Sequence, residues 1–393
     1  MSEGIKKSFI IKGLEERRSR QLFRSMKTVK PLSGMEIELD GKKMVNFSSN
    51  DYLGLSKHPL LKERSMEYLQ LYGSGSTASR LICGNFECLE LAEQRIAELS
   101  GCESALIFNS GFQANVSLLP ALADRDTLIL SDWLNHSSLI HGALLSRCHV
   151  ERFRHNDMEH LEELLRNNSG NGIKRRVLIV TESVFSMDGD KSDIDTLKRL
   201  SEDFDALLIV DEAHATGLFG KNGMGLTSGK NVDITIGTLG KAWGSFGAYV
   251  ACDRDIRDYL INFCHGFIYT TALPPSVIGS IDAAMDLIPA MDKEREDLVS
   301  KSGHLRKALN GLGFDTVTST THIIPIVIGD EEEAMSLSGW LEKNGILAMT
   351  FRYPSVAMGE ARIRLSLSAA HTWEDINLLI DLLRRWRLND RAE

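Results

Sequence analysis

Between Ser104 and Ile236 the chain alternates short apolar runs with segments of helical spacing. Ser104–Phe108, Asp126–Leu130, Val150–Phe153, Val177–Thr181 and Ala206–Asp211 read as strands. Phe86–Ser100, Met158–Leu165 and Asp193–Phe204 read as helices, as does the stretch that Gly111 opens toward Leu122. Continuous apolar strands need cover on both faces. The pattern therefore predicts an α/β fold with a mainly parallel central sheet.

At 393 residues the chain exceeds what one core usually holds, so two packed domains are expected. An N-terminal helical arm (helix over Glu15–Met26) and a hairpin turning at Asp40-Gly41 occupy residues 1–45. A large domain follows over 46–285, including an amphipathic helix near Pro59–Tyr72. A smaller α+β domain follows over 286–393, introduced by a helical pattern from about Val277 to Leu312. Its strands are expected near Ile323–Ile328, Leu347–Thr350 and Arg362–Ser366, and its helices at Glu332–Lys343 and Trp373–Arg387.

Composition removes several function classes. A net charge of −9 argues against a nucleic-acid-binding face. No apolar run approaches the ~18 residues of a membrane span. The polar N-terminus, Met1 to Lys30, resembles neither a signal peptide nor an anchor. Six cysteines without a CxxC pair read as reduced thiols of a cytoplasmic protein.

The chemistry concentrates at strand ends. Ala206–Asp211 ends in an acid and is followed by Glu212-Ala-His214. A second β-branched run, Ile234-Thr-Ile236, breaks at Gly237, passes Thr238 and reaches Lys241 between Gly240 and Gly244. An ATPase would need GxxxxGK[ST]. The nearest approach, Gly223 to Lys230, has the wrong spacing and no hydroxyl after its lysine. There is no GxGxxG between a first strand and helix for a dinucleotide, and no HExxH or clustered histidines for zinc. No metal is expected.

The chemistry that remains is that of pyridoxal 5′-phosphate (PLP). It wants a lysine for a Schiff base and an acid against the pyridinium nitrogen, and Lys241 and Asp211 stand at strand ends where α/β sheets present such groups. Gly111-Phe112 opens a helix whose free N–H groups suit a phosphate, to which Thr238 can add a hydroxyl. His136 follows a strand-end loop from which it could lie flat on the ring, while His214 and Ser186 follow neighbouring strands within reach of the phenolic oxygen. Taken singly, each has a duller reading: a lone loop lysine is usually solvated, and a lone loop histidine is usually just hydrogen-bonded. Glu212 and Asp188 read as structural acids.

Taken together, these stretches resemble the α-oxoamine synthases, PLP enzymes of fold type I. The resemblance is carried by Asn46-Phe-Ser-Ser-Asn-Asp-Tyr-Leu-Gly-Leu55, Ser110-Gly-Phe112, Ser131-Asp-x-x-Asn-His136, Glu182-x-Val-Phe-Ser-Met-Asp-Gly-Asp190, Asp211-Glu-Ala-His214, Thr238-Leu-Gly-Lys241 and Ala361-Arg-Ile-Arg-Leu365. It runs from about residue 14 to about 385. It implies Lys241, His136 and Asp211 as catalytic residues, with Lys241 the Schiff-base lysine. Gly111, Phe112, His136, Ser186, Asp211, His214, Thr238 and Lys241 are implied around the cofactor. Arg364 is implied as the clamp on the amino-acid carboxylate, with Asn50 and His136 nearby, and Arg24 and Ser355 fall on acyl-substrate positions.

The implied reaction is a decarboxylating condensation of an amino acid with an acyl thioester. In the biotin branch these are L-alanine and pimeloyl-CoA or a pimeloyl carrier protein; in a sister branch they are glycine and acetyl-CoA. The resemblance also implies a homodimer. A catalytically dead scaffold of this fold would be marked by loss of the lysine, which this chain keeps.

Overall fold

The structure, a computed structural model, describes residues 5–20, 22–169 and 175–389. The first four residues of the expected arm, Gln21 and the last four residues of the expected C-terminal unit lie outside the described residues.

Strands β1 (Val29–Pro31), β2 (Glu36–Leu39) and β3 (Lys42–Asn46) form an antiparallel ribbon near the N-terminus. Asp40 and Gly41 join β2 to β3 with φ of 50° and 76°. Two successive left-handed residues are what a tight two-residue hairpin needs, and an Asp-Gly pair supplies them.

Seven strands build the central sheet: β4 (Ser104–Phe108), β5 (Leu128–Asp132), β6 (His149–Phe153), β7 (Val177–Glu182), β8 (Leu207–Asp211), β9 (Ile234–Thr238) and β10 (Ala248–Cys252). Their spatial order is β4-β10-β9-β8-β7-β5-β6. The pairs from β9 through β6 are parallel, and β10 runs antiparallel to both β9 and β4. The sheet is mainly parallel, as the alternation predicts, with one reversed strand. Both faces are covered: Ala105 and Ile107 of β4 enter one hydrophobic core, and Leu106 and Phe108 enter another. Side chains alternate along a strand, so a strand serving two cores must be apolar throughout.

The C-terminal part carries β11 (Ile323–Gly329), β12 (Ile346–Leu347), β13 (Thr350–Phe351) and β14 (Ala361–Ser366). Strands β11, β14 and β13 form an antiparallel sheet. The single strand expected over Leu347–Thr350 is instead two short ones in different sheets, because β12 pairs in parallel with β3 of the N-terminal ribbon.

Two other expectations are corrected, and one helix was not expected. The arm helix spans Ile5–Ser19 rather than Glu15–Met26. The chain then leaves the helix, which brings Arg24 across to Ser355. The pattern from Val277 to Leu312 divides into helices Pro275–Leu287 and Asp292–Gly311 around a turn at Ile288–Ala290. Pro289 lies in that turn, and proline lacks the N–H that a continuous helix would require. The segment after His136 is a helix, Ser137–Leu145, that the sequence pattern did not announce.

Candidate active site

The C-terminal ends of β4, β5, β7, β8 and β9 deliver polar groups to one side of the sheet, where parallel α/β sheets place their ligands. Lys241 follows β9 on a loop closed by backbone hydrogen bonds from Leu239 N–H to Gly247 O (2.9 Å) and from Gly244 N–H to Lys241 O (2.9 Å). Trp243 anchors it: the indole is fully buried and donates to Thr216 Oγ1 at 3.0 Å. Gly244 has φ of +64°, and an added Cβ would stand 2.5 Å from the backbone of Leu55 and Ser56. Only glycine lets the lysine loop sit that close to the Leu55 turn.

Lys241 Nζ lies 2.8 Å from His214 Nε2, and His214 Nδ1 lies 2.6 Å from the Tyr52 hydroxyl. Tyr52 also contacts Asn50 Oδ1 (2.9 Å) and receives Arg364 Nη2 (3.3 Å). Three sequence-distant segments thus meet on one tyrosine, and the lysine loop joins them through His214. Burial and the neighbouring Lys241 and Arg364 charges hold His214 well below the usual histidine range, so its ring is neutral. Burial lowers Lys241 to about 8, with the Asp211 carboxylate opposing that fall. Burial raises Tyr52 to about 12, so its hydroxyl keeps its proton.

Asp211 is buried at the end of β8 and accepts from Asn115 Nδ2 (2.7 Å) and the Ala213 N–H (2.8 Å). Asn115 also donates to Ser138 Oγ at 2.9 Å, and that hydroxyl lies 2.7 Å from His136 Nδ1. The His136 backbone N–H donates to Glu182 Oε1 at 2.6 Å. Glu182 is paired in register with Asp211 across β7 and β8. Burial, reinforced by the Asp211 charge, raises the Glu182 carboxyl well above its ordinary range. Around the His136 ring, therefore, its nitrogen and backbone are tied down while the side chain stays exposed.

Gly111 and Phe112 are the first residues of helix Gly111–Leu122, whose N-terminus is capped by the Ser110 hydroxyl. A Cβ at Gly111 would fall 4.0 Å from Thr238 Oγ1, so that hydroxyl stands beside the helix N-terminus. Ser186 is half-buried in the loop after β7 and makes no side-chain hydrogen bond among the described residues.

Arg362 and Arg364 are both buried on β14, but their partners differ. Arg362 is consumed by Asp188 and by Glu360 (3.0 Å). Arg364 meets only Asn50 Oδ1 (3.3 Å) and Tyr52, its Nε has no partner, and no carboxylate lies within ion-pair reach among the described residues. A buried guanidinium without an acid is electrostatically incomplete.

Arg24 and Ser355 come together elsewhere, with Arg24 Nη2 3.4 Å from Ser355 Oγ. They line a groove of about 630 Å³ that also includes Phe23, Met349 and Phe351. Phe351 connects the two regions, since its ring lies 5.9 Å from the Arg364 guanidinium carbon.

Tyr52, Asn115, Ser138 and Glu182 were not singled out from the sequence. Tyr52 and Glu182 lie inside the quoted motifs, and that position was the only available signal. Asn115 and Ser138 gave none. Glu212, read as a structural acid, is fully buried and accepts from Ser183 Oγ (2.7 Å) and the Thr227 N–H (2.6 Å). Asp188 is held by Arg362.

These residues fit PLP chemically: a near-neutral amine, a buried carboxylate fixed by two donors, a helix N-terminus with an adjacent hydroxyl, and an exposed ring. Comparison with known proteins agrees. The aminotransferase class I and II family matches residues 42–383. The chain belongs to that family and, within it, to the α-oxoamine synthases, PLP-dependent acyltransferases of fold type I.

A Desulfosudis oleivorans protein provisionally named 8-amino-7-oxononanoate synthase is 53% identical over 97% of this chain and 99% of its own length. A Gluconacetobacter diazotrophicus protein with that name is 43% identical over 95% of this chain and 96% of its own. Among solved structures, a serine palmitoyltransferase with PLP as its internal aldimine superposes with a TM-score of 0.89 at 26% identity, covering 97% of each chain.

Proposed function

We propose that the chain condenses L-alanine with a pimeloyl thioester, carried by CoA or a carrier protein, to give 8-amino-7-oxononanoate, the free thiol and CO2. This would place it in biotin synthesis. The observation that carries an amino-acid substrate is Arg364: a buried guanidinium with no acid partner among the described residues, joined through Tyr52 and His214 to Lys241.

Bound PLP supplies an electron sink for negative charge at the amino acid's α-carbon. The residues of the chain do the rest. Asp211, fixed by Asn115 and the Ala213 N–H, would be the acid for the ring nitrogen. Gly111, Phe112 and Thr238 would hold the phosphate, and His136 would pack against the ring. His214, with Ser186 in the neighbouring loop, would serve the phenolic oxygen.

Arg364 grips the substrate carboxylate in bidentate fashion, with Asn50 beside it. Its grip orients the α-hydrogen toward Lys241. With a pKa of about 8, Lys241 Nζ can take that proton at neutral to mildly alkaline pH and return it later. The C–C bond forms at the thioester carbonyl as the C–S bond breaks, and the former amino-acid carboxyl then leaves as CO2. The groove at Arg24 and Ser355, about 630 Å³ in volume, supplies a cation for an acyl chain ending in a carboxylate.

A second copy of the chain is the partner we assign to the rim of the site. Leu81, Ile82, Phe112 and Tyr269 are 52, 79, 53 and 78% exposed, and burial against a second copy would remove these large apolar side chains from water. Six free cysteines agree with a reducing cytoplasm.

The test is thiol release and product mass on mixing purified holoenzyme with amino acid and thioester. Turnover with L-alanine and pimeloyl-CoA or pimeloyl carrier protein is expected. Turnover only with glycine and acetyl-CoA would move the chain to the sister activity, and none with any pair would overturn the reading.

A further inference from the structure

A small cavity of about 80 Å³ lies apart from the groove and the lysine loop, between helix Asp292–Gly311 and the loop Thr320–His322. Its apolar wall includes Leu218, Phe219 and Leu298. Its polar lining is basic. His322 is 3% exposed, and neither of its ring nitrogens has a hydrogen-bond partner among the described residues. Lys191 is exposed, with its ammonium 4.3 Å over the Phe219 ring. Arg306 donates to Thr321 O (2.9 Å) and weakly to Ser319 Oγ (3.4 Å).

Neither Lys191 nor Arg306 has a carboxylate in ion-pair reach among the described residues. Arg295, the third cation of the lining, is neutralised by Asp292 at 2.6 Å. Burial lowers both Lys191 and Arg306 from their usual ranges, and the Arg306 charge lowers Lys191 further. The cavity thus combines uncompensated positive charge with a buried ring that lacks a partner. Buried polar groups are nearly always paired, so both features call for the same occupant.

We propose that this cavity binds a compact oxyanion, held by Lys191 and Arg306 and by an N–H of His322. Cavity size limits the occupant to roughly the bulk of inorganic phosphate or a short carboxylate. The site adjoins the catalytic cluster without being part of it. The His322 ring meets Tyr52 edge-on at 4.0 Å between centroids, and Tyr52 bonds His214 on its far side.

The experiment is calorimetric titration of the PLP-loaded protein with inorganic phosphate and, separately, with acetate, in a zwitterionic buffer at low salt. Saturable binding to one site per chain is expected, with affinity falling tenfold or more in Lys191→Met, in Arg306→Met and in His322→Phe. Lys62→Met, on an exposed helix face, is expected to match the parent. Tighter binding of phosphate would identify a tetrahedral oxyanion, and tighter binding of acetate a carboxylate. Absence of saturable binding for both would overturn the proposal. So would equal affinity in the parent and both cation variants, since the anion would then sit elsewhere. Lys191 is exposed, so its variant separates lost binding from lost folding, and melting temperatures check the other two.

Discussion

The Lys241 amine and the His214 imidazole stand 2.8 Å apart, and both belong to their neutral forms over more of the pH range than in water. For the lysine the cause is burial, which penalises the ammonium and brings its pKa to about 8. Only the free amine is nucleophilic. Capture of PLP by apoprotein is therefore expected to speed up as pH rises and to level off above about pH 8. Stopped-flow absorbance across pH 6–10 measures this. A midpoint near that of an ordinary lysine, or covalent capture by Lys241→Ala, would contradict the assignment.

The two arginines of β14 are expected to fail differently. Arg364→Lys keeps the charge but loses the planar fork, a loss of roughly 1.5–3 kcal/mol in a charged hydrogen bond. The KM for the amino acid should rise on the order of tenfold to a hundredfold, with little change in melting temperature. Arg362→Ala strands Asp188 and is expected to cost stability, about 3 kcal/mol for a broken buried pair. Steady-state kinetics and denaturant melts of both variants separate the roles; the reverse pattern would refute them.

Glu182 offers a sharper distinction. Its carboxyl is held protonated well above the ordinary range, and its acceptor oxygen serves the His136 N–H. Glutamine reproduces the neutral acid in size and keeps that acceptor. Glu182→Gln is expected to retain activity within about threefold, while Glu182→Ala, which leaves the half-buried His136 N–H unpaired, should lose roughly tenfold or more. A large loss in the glutamine variant would show that an ionised Glu182 is needed.

His155 ties two catalytic loops together and should carry a pH signature in stability. Its Nδ1 lies 2.9 Å from Asp132 and its Nε2 2.8 Å from Asp190. Burial alone would lower its pKa, but the hydrogen bonds and charges of those acids raise it to about 10. The folded value exceeds the unfolded one of about 6.5, so the contribution is complete below about pH 6.5 and is lost as pH rises toward 10. Thermal melts of the parent should decline across that window, and His155→Gln should flatten the decline. Parallel curves for the two proteins would rule the clamp out. The same geometry accounts for the His155, Asp188 and Asp190 cluster without an ion, since each acid already has a cationic partner.

Some of the missed structure has a definite cause. Helix Ser137–Leu145 gave a weak signal because Gly142 interrupts it, yet packing demands that glycine: a Cβ there would lie 2.4 Å from Asn115 O. A residue that lowers local helix propensity is required by the neighbouring helix, and propensity yields to contact. Pro289 could have marked the break after Leu287, but helical spacing on both sides masked it. By contrast, the hairpin turn was legible because Asp40-Gly41 carries its backbone geometry in its own chemistry.

By itself the sequence determined what is local: which runs are buried strands, where they end, and which acid, amine, hydroxyl and glycine stand at those ends. That was enough for a mainly parallel α/β sheet and for Asp211, His214, Thr238 and Lys241 on one side of it. Tertiary structure alone decided which distant groups they meet. Tyr52 joins Arg364 to His214, Asn115 fixes Asp211, β10 runs against its neighbours, and among the described residues Arg364 rather than Arg362 is left without an acid. The physical reason is that periodicity and turn chemistry act over a few residues, whereas hydrogen bonds and burial are shared between segments hundreds of residues apart. Their partners exist only once the chain has closed on itself.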